Sequence, residues 1–206
     1  VWESATNALR NALEHSGLKY VVNEGDGAFY GPKIDFHLRD SIGRTWQCGT
    51  IQLDMLMPEK FDLTYVGEDG QKHRPVMVHR VVYGSIERFI GILIENYAGA
   101  FPVWLAPVQV KILPITDKHM DYAFALKKKM FDLGLRVEVD DRNEKVGYKI
   151  RESQVKKVPY TLVVGDKEME SNTAAVRKYG EKDSVTMDVD AFIKGVQEKI
   201  ASRSDR

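Results

Sequence analysis

Five side chains with complementary chemistry fall within a short stretch of the first half of the chain. They are a phenol, an ammonium, two amides and a thiol: Tyr30, Lys33, Gln47, Cys48 and Gln52. Their neighbours alternate as strand residues do, so on one face of a sheet these groups could hold a small zwitterion and a phosphate. A bend at Gly31-Pro32 precedes the lysine. Each residue alone is more typical of a solvated surface, and both interpretations stay open.

The histidine with the most unusual surroundings is His79. It lies within PVMVHRVV, a run that predicts a buried imidazole, and the common role of such a residue is a core histidine with satisfied ring nitrogens. A zinc ligand is the alternative. Zinc takes three or four donors, however, and the chain has no CxxC or HExxH spacing and only Cys48 as another soft donor. The residues alone therefore favour the core histidine.

A third candidate lies at the start of a predicted helix, GSIERFIGILIENYAG. Its apolar side chains share one face at about 100° per residue: Ile86, Phe89, Ile90, Leu93 and Tyr97. Arg88 lies on the opposite side, one turn after Ser85. Helix amides and a guanidinium can converge on a phosphate there, although a solvated arginine is the alternative.

A basic segment in the second half suggests RNA. Residues 142–157 contain six basic and two acidic side chains, and the three lysines predicted to share an exposed face are Lys149, Lys156 and Lys157. Hydrogen-bonding and stacking groups near predicted strand ends accompany them, namely Asn143, Tyr148, Glu168 and Arg177. Single-stranded RNA recognition uses this mixture. A merely solvated basic helix is the alternative.

The elements that position the first three candidates form an antiparallel sheet. Residues 3–15 predict a helix that ends before Gly17. Two predicted strands lie on either side of Gly43 at the spacing of a hairpin: FYGPKIDFHLRD and RTWQCGTIQLDM. In the first, apolar and polar residues alternate as they do in a half-buried strand. FDLTYVG and PVMVHRVVYG add two strands, and the second, rich in β-branched residues, is expected to be central.

The second half alternates strands and helices. Four segments predict strands: VQVKILPI, LRVEVD, PYTLVVGD and AAVRKY. They are separated in turn by a helix from Thr116 or Asp117 to Gly134, by the basic helix and by a turn. A last helix covers 188–202. A small open α/β sheet with a right-handed crossover follows. The two prolines of AFPVWLAPVQV suggest an interdomain linker, giving domains 1–106 and 107–206.

Composition excludes some classes of protein. With 206 residues, 43% of them hydrophobic, the chain can form a real core. The 30 basic and 30 acidic side chains balance, so a polyanion site must be local. The absence of a long apolar stretch or signal-like N-terminus predicts a cytoplasmic protein without a membrane partner, and one cysteine excludes an internal disulfide.

Read in order, four segments resemble one family closely: GDGAFYGPKIDFHLRDSIGRTWQCGTIQLD, VGEDGQKHRPVMVHRVVYGSIERFIGILIE, WLAPVQV and VDDRNEKVGYKIRESQVKKVPYTLVVGDKEMES. Together they resemble the C-terminal half of threonyl-tRNA synthetases. The resemblance implies α/β and α+β architecture, with part of an antiparallel class II synthetase catalytic sheet followed by a small α/β anticodon-binding domain. It implies ATP-dependent formation of threonyl-adenylate and transfer of threonine to tRNA(Thr).

The resemblance also implies roles for individual residues. Arg88 matches an ATP contact in the third class II motif, and Lys33 with Gln47 matches positions at the nucleotide and the reacting carboxylate. Tyr30, Gln52 and Ser85 match the surroundings of L-threonine, and Cys48 belongs to the same substrate set. His79 matches a Zn²⁺ ligand, Mg²⁺ accompanies ATP, and the anticodon-reading positions are Asn143, Lys157, Glu168 and Arg177.

Departures from the family pattern keep one alternative open. The first two class II motifs, which form the homodimer interface and hold the α-phosphate, are expected before Val1. Two further features are also expected before Val1. They are the cysteine and histidine that complete the zinc site, and the editing region. The chain thus resembles an excised portion of a synthetase, and a catalytically incomplete tRNA-binding or regulatory module is the alternative function.

Overall fold

Residues 2–204 are described by a computed structural model, in which the chain divides into two units, Val1–Asn96 and Tyr97–Arg206. The predicted combination of an antiparallel sheet and an α/β domain is confirmed. Among the described residues no helix is both long and apolar enough to cross a bilayer.

The first unit is built around a hairpin. Its elements are α1 (Trp2–Ser16), β1 (Lys33–Arg39), β2 (Thr45–Asp54), α2 (Met57–Lys60), β3 (Tyr65–Val66), β4 (Lys72–His73), β5 (Met77–Val81) and α3 (Ile86–Asn96). The antiparallel sheet has the order β1-β2-β5, while β3 and β4 form a separate ribbon. Gly43 turns the predicted hairpin with a φ of 87°, a conformation that glycine adopts without strain.

The expectation that PVMVHRVVYG forms a central strand is wrong. Within residues 2–204, β5 pairs only with β2 and leaves its other edge without a strand, so four of its five residues are exposed. A run of β-branched residues indicates strand structure, but the position of a strand in its sheet depends on distant segments. The apolar face of α3 is similarly uncovered, because none of its residues is buried among the described part of the chain.

The second unit has a well-formed core. Its elements are β6 (Val110–Pro114), a 3₁₀ turn (Asp117–His119), α4 (Met120–Asp132), β7 (Val137–Val139), α5 (Val146–Val155), β8 (Tyr160–Val164), α6 (Asp166–Ser171), β9 (Thr173–Lys178), β10 (Val185–Asp188) and α7 (Val189–Ser202). The sheet order is β10-β9-β8-β6-β7, in which β7, β6 and β8 are parallel. All five β6 residues are buried, and each large apolar side chain contributes about 2 kcal/mol.

The proposed linker belongs to this second unit. Val103 and Ala106 are buried, and the Arg136 guanidinium donates to the carbonyl oxygens of Ala106 (2.9 Å) and Trp104 (3.0 Å). The amide of Gln109 donates to the Val103 carbonyl at 2.8 Å. The boundary between the two units along the chain therefore lies before this segment, between positions 96 and 97.

Candidate functional site

The candidate residues of the first unit are aligned by strand register. Lys33 of β1 lies opposite Gln52 of β2, which lies opposite His79 of β5. Residues directly opposite one another in antiparallel strands project from the same face, so these three side chains form a row across the sheet. Asp35 and Thr50 form the next row on that face.

Tyr30 and Gln52 form a fixed pair beside this row. The Tyr30 hydroxyl donates to Oε1 of Gln52 at 2.9 Å, and Gln52 is nearly buried. This bond commits the amide oxygen and leaves the amide nitrogen as a donor toward a ligand. The Tyr30 ring also packs edge-on against the His79 ring, with 6.3 Å between centroids.

The ammonium of Lys33 is held by a carboxylate. Its Nζ lies 2.6 Å from Oδ2 of Asp35, whose other oxygen accepts from the Gln47 amide (2.7 Å) and the Thr50 hydroxyl (2.8 Å). The hydrogen bond to Asp35 raises the pKa of Lys33. Burial opposes ionisation of Asp35, but the bonds from Lys33, Thr50 and Gln47 leave its pKa lowered. Both groups are therefore charged at neutral pH.

The imidazole of His79 is half exposed, so the expectation that it is buried is wrong; the exposed edge of β5 is the reason. Its Nε2 donates to Oδ2 of the buried Asp54 at 2.9 Å. The backbone N–H groups of Leu56 and Met57 donate to the other oxygen. Burial opposes ionisation of Asp54, yet these bonds and His79 keep its pKa lowered.

The surroundings of His79 suit a single zinc ligand. A carboxylate that holds one ring nitrogen orients the other toward a metal, so His79 fits as one oriented ligand. Across residues 2–204 no cluster of three histidine, cysteine or acidic side chains could complete a site. Zinc therefore remains a prediction.

Ser85 and Arg88 lie where α3 begins, next to β2. The Ser85 hydroxyl accepts from the Arg88 N–H at 3.3 Å, and a guanidinium nitrogen lies 3.4 Å from the Gln47 carbonyl oxygen. Gly84 permits this approach, since its φ is 66° and a Cβ there would lie 2.7 Å from the carbonyl oxygen of Cys48. Cys48 itself is buried and contributes its backbone to this contact.

The four predicted anticodon positions fall at two ends of the second sheet. Asn143 follows β7 and Glu168 lies in α6, just after β8, so both are at the carboxyl ends of the parallel strands. Lys157 precedes β8, and Arg177 pairs with Thr161 near the start of that strand. The length of β8 separates the pairs by roughly 13 Å.

One buried histidine at the carboxyl end was not predicted. His119 is 2% exposed; its Nδ1 accepts from the Thr116 N–H (3.1 Å), and its Nε2 donates to Asp166 (3.0 Å). The bond to His119 lowers the pKa of Asp166. Histidine three residues after a helix-capping threonine is the signal that could have found it.

The expectation of one exposed lysine face is wrong for Lys149. Lys156 is exposed and pairs with Glu152 at 2.7 Å, and Lys157 reaches the carbonyl oxygen of Ala98. Lys149 is only 4% exposed and donates to the Asp140 carbonyl oxygen at 2.9 Å. Its long side chain reaches from α5 to the residue that follows β7, a contact that a charge pattern cannot reveal.

Each of the two units matches a known protein family. Residues 2–97 match the tRNA synthetase class II core domain (G, H, P, S and T), and residues 109–199 match the anticodon binding domain. With the antiparallel sheet and the mixed α/β sheet, these matches define the class. The chain joins part of a class II aminoacyl-tRNA synthetase core to an anticodon-binding domain.

The relatives narrow this class. A threonine–tRNA ligase of Acetivibrio thermocellus is 66% identical over 99% of this chain and 32% of its own length, and that of Clostridioides difficile is 64% identical over 98% and 32%. The RNA binding domain of a threonyl-tRNA synthetase from Cryptosporidium parvum superposes with a TM-score of 0.83, at 37% identity over 96% of this chain and 50% of that one. The chain belongs to the threonine–tRNA ligase family and spans about a third of its curated relatives' length.

Proposed function

We propose that the protein containing this chain is an ATP-dependent ligase that activates threonine and transfers it to tRNA(Thr). The observation that carries the proposal is the row of Lys33, Gln52 and His79, because it presents a cation, an amide donor and an oriented imidazole on one face of the class II sheet. A small amino acid bound to that face meets all three.

The amino acid is held by groups that are already fixed. Tyr30 holds the Gln52 amide in one orientation, so no rotamer freedom is lost there when a substrate binds. Lys33 stays protonated beside Asp35 and can neutralise the substrate carboxylate or the charge that develops at the α-phosphate. Ser85 adds a hydroxyl at the adjoining start of α3.

The nucleotide is assigned to the side of the sheet nearest α3. Arg88 brings its guanidinium to the Gln47 carbonyl and offers a planar set of donors to phosphate oxygens. ATP would bind together with Mg²⁺, which neutralises part of the negative charge of its phosphates. In-line attack of the threonine carboxylate on the α-phosphate would form threonyl-adenylate and break the bond to the β-phosphate, releasing pyrophosphate. This step depends above all on the positioning of the two reactants.

His79 is the residue that would hold zinc, with its ring oriented by Asp54. The family resemblance assigns the remaining ligands, a cysteine and a histidine, to other parts of the longer protein. When bound, zinc would coordinate both the amine and the hydroxyl of threonine, which valine cannot satisfy.

The second unit is assigned to the anticodon of the same tRNA. Asn143 and Glu168 offer hydrogen-bonding groups at one end of the sheet, and Lys157 and Arg177 offer cations at the other. Glu168 uses one carboxylate oxygen on the Gly165 N–H at 3.0 Å, which fixes its direction. The homodimer and the cytoplasmic location remain part of this proposal through the family resemblance.

The test is threonine-dependent exchange of pyrophosphate into ATP by the full-length protein. Gln52→Ala should reduce kcat/KM for threonine by about tenfold to a hundredfold, because the substrate loses an amide donor and the Tyr30 hydroxyl loses its acceptor. Gln71→Ala is the control, since that side chain is exposed on the β3–β4 ribbon. Equal rates for the wild type and Gln52→Ala would overturn the proposal.

A second candidate function is an RNA-binding module without catalysis. It is favoured by the second unit's own core, in which seventeen buried apolar residues form one cluster. Residues 97–206 should then bind the threonine anticodon stem-loop without the first unit. Failure to bind while the full-length protein binds would exclude this candidate.

A further inference from the structure

Lys149 carries a buried charge that the described residues do not satisfy. Its ammonium has three N–H groups, of which one donates to the Asp140 carbonyl oxygen at 2.9 Å. Across residues 2–204 it forms no ion pair. The carboxylate of Asp140, the residue whose carbonyl oxygen accepts from Lys149, is occupied by Arg142 through bonds of 2.8 and 2.6 Å. Two donors of a 4% exposed cation therefore lack protein partners.

Lys149 lines a small cavity at the carboxyl ends of β6 and β7. Its volume of about 40 Å³ admits an atom or two, such as a water or one exocyclic oxygen, rather than a whole nucleotide. The lining also includes Asp117, Asn143, Glu144 and Arg142, and the Arg142 guanidinium is already paired with Asp140 and Glu152. The cavity is thus a narrow recess lined by the Lys149 side chain, by one cation that is already paired, and by acidic and amide groups.

This distribution of charge selects the ligand. A phosphate would meet two carboxylates, which repel it, and only one cation with free donors, because the Arg142 guanidinium is paired with Asp140 and Glu152. A base edge with a keto oxygen beside a ring N–H fits, because the oxygen meets Lys149 while the N–H meets a carboxylate. Guanine and uracil have that edge, whereas adenine and cytosine present an amino group beside an unprotonated nitrogen. Threonine codons begin with A and C, so every matching anticodon has G and U at its second and third positions.

We propose that this recess receives the keto edge of one of these two anticodon bases and that Lys149 is a specificity-determining residue. The proposal rests on the proposed tRNA function. It explains why a lysine occupies a buried position where an apolar residue would be more stable, since functional groups are retained at a cost in stability.

The experiment measures binding of anticodon stem-loops to the full-length protein, as wild type and as Lys149→Met. Four RNAs are compared: the threonine stem-loop, one with 2-aminopurine for the second-position guanine, one with cytosine for the third-position uracil, and one with a scrambled loop. The ratio of two affinities measured on one protein does not depend on the folded fraction, so partial misfolding cannot mimic the result. Lys194→Met, at an exposed position of α7, is the matched control.

The wild type should lose about tenfold to a hundredfold in affinity on one of the two base changes. Lys149→Met should bind the threonine stem-loop more weakly than the wild type by a similar factor. The same base change should then cause no further loss of affinity in this variant. A uniform loss on all four RNAs with a weaker salt dependence would mean a phosphate contact, and unchanged selectivity would mean a structural lysine; either overturns the proposal. A wild type that does not distinguish the scrambled loop would instead refute anticodon recognition itself.

Discussion

Tyr30→Phe tests whether the first site is held ready before the substrate arrives. The change keeps the ring and removes the hydroxyl that donates to Oε1 of Gln52 at 2.9 Å. Gln52 is only 9% exposed, so its oxygen would lose a partner that water cannot fully replace. A neutral hydrogen bond is worth about 1 kcal/mol and an unsatisfied buried acceptor costs about 1–3 kcal/mol. We therefore expect Tyr30→Phe to reduce the stabilisation of the transition state for threonine activation by about 1–2 kcal/mol.

That loss corresponds to roughly a five- to thirtyfold lower kcat/KM for threonine. It should act mainly on KM, because the freed amide can rotate and must be reoriented by the substrate. The assay is threonine-dependent pyrophosphate exchange by the full-length protein. Tyr65→Phe is the control, since across residues 2–204 its exposed hydroxyl has no hydrogen-bond partner. If Tyr30→Phe leaves KM for threonine unchanged, the Gln52 amide is not a preset donor.

Two further predictions concern the scaffold of the first unit. Gly84→Ala should lower the free energy of unfolding in urea by at least about 2 kcal/mol, because φ is 66° and the new Cβ would lie 2.7 Å from the Cys48 carbonyl; Gly91→Ala, in open space on α3, should not destabilise. Equal effects would refute the close contact. The Trp46 indole, followed by Arg44, lowers the pKa of Asp40 from 3.8 to about 2 against the effect of burial. A lowered folded-state pKa stabilises above the unfolded value, so the stability advantage of the wild type over Asp40→Asn should be complete above about pH 5 and vanish between pH 4 and 2; a pH-independent difference would contradict this.

Much of the second unit could be predicted from periodicity, because β6, α4, β7, α5 and β8 each have the hydrophobic pattern of the element they form. The six-residue helix α6 and the strand β10 were expected as a turn or missed, since neither is long enough to show a period. Glu168 within α6 was nevertheless a candidate from the pattern, as a hydrogen-bonding group near a strand end, and the resemblance added its anticodon-reading role.

The candidate site depended on information that a linear sequence does not contain. Lys33, Gln52 and His79 share a row only because the hairpin register is shifted by a bulge between Phe36 and His37. Burial could not be predicted where packing partners decide it. His79 is exposed because β5 lies at the sheet edge, and Lys149 is buried where its side chain reaches the Asp140 carbonyl oxygen after β7.

The most direct test of the account compares threonine with valine in pyrophosphate exchange by the full-length protein, before and after Lys33→Met and Gln52→Ala. We expect threonine to be strongly preferred by the wild type, and both substitutions to reduce its kcat/KM by at least about tenfold, since each removes a member of the row that meets the substrate. Exchange that is independent of threonine, or unaffected by both substitutions, would contradict the assignment of this sheet face as the amino-acid site.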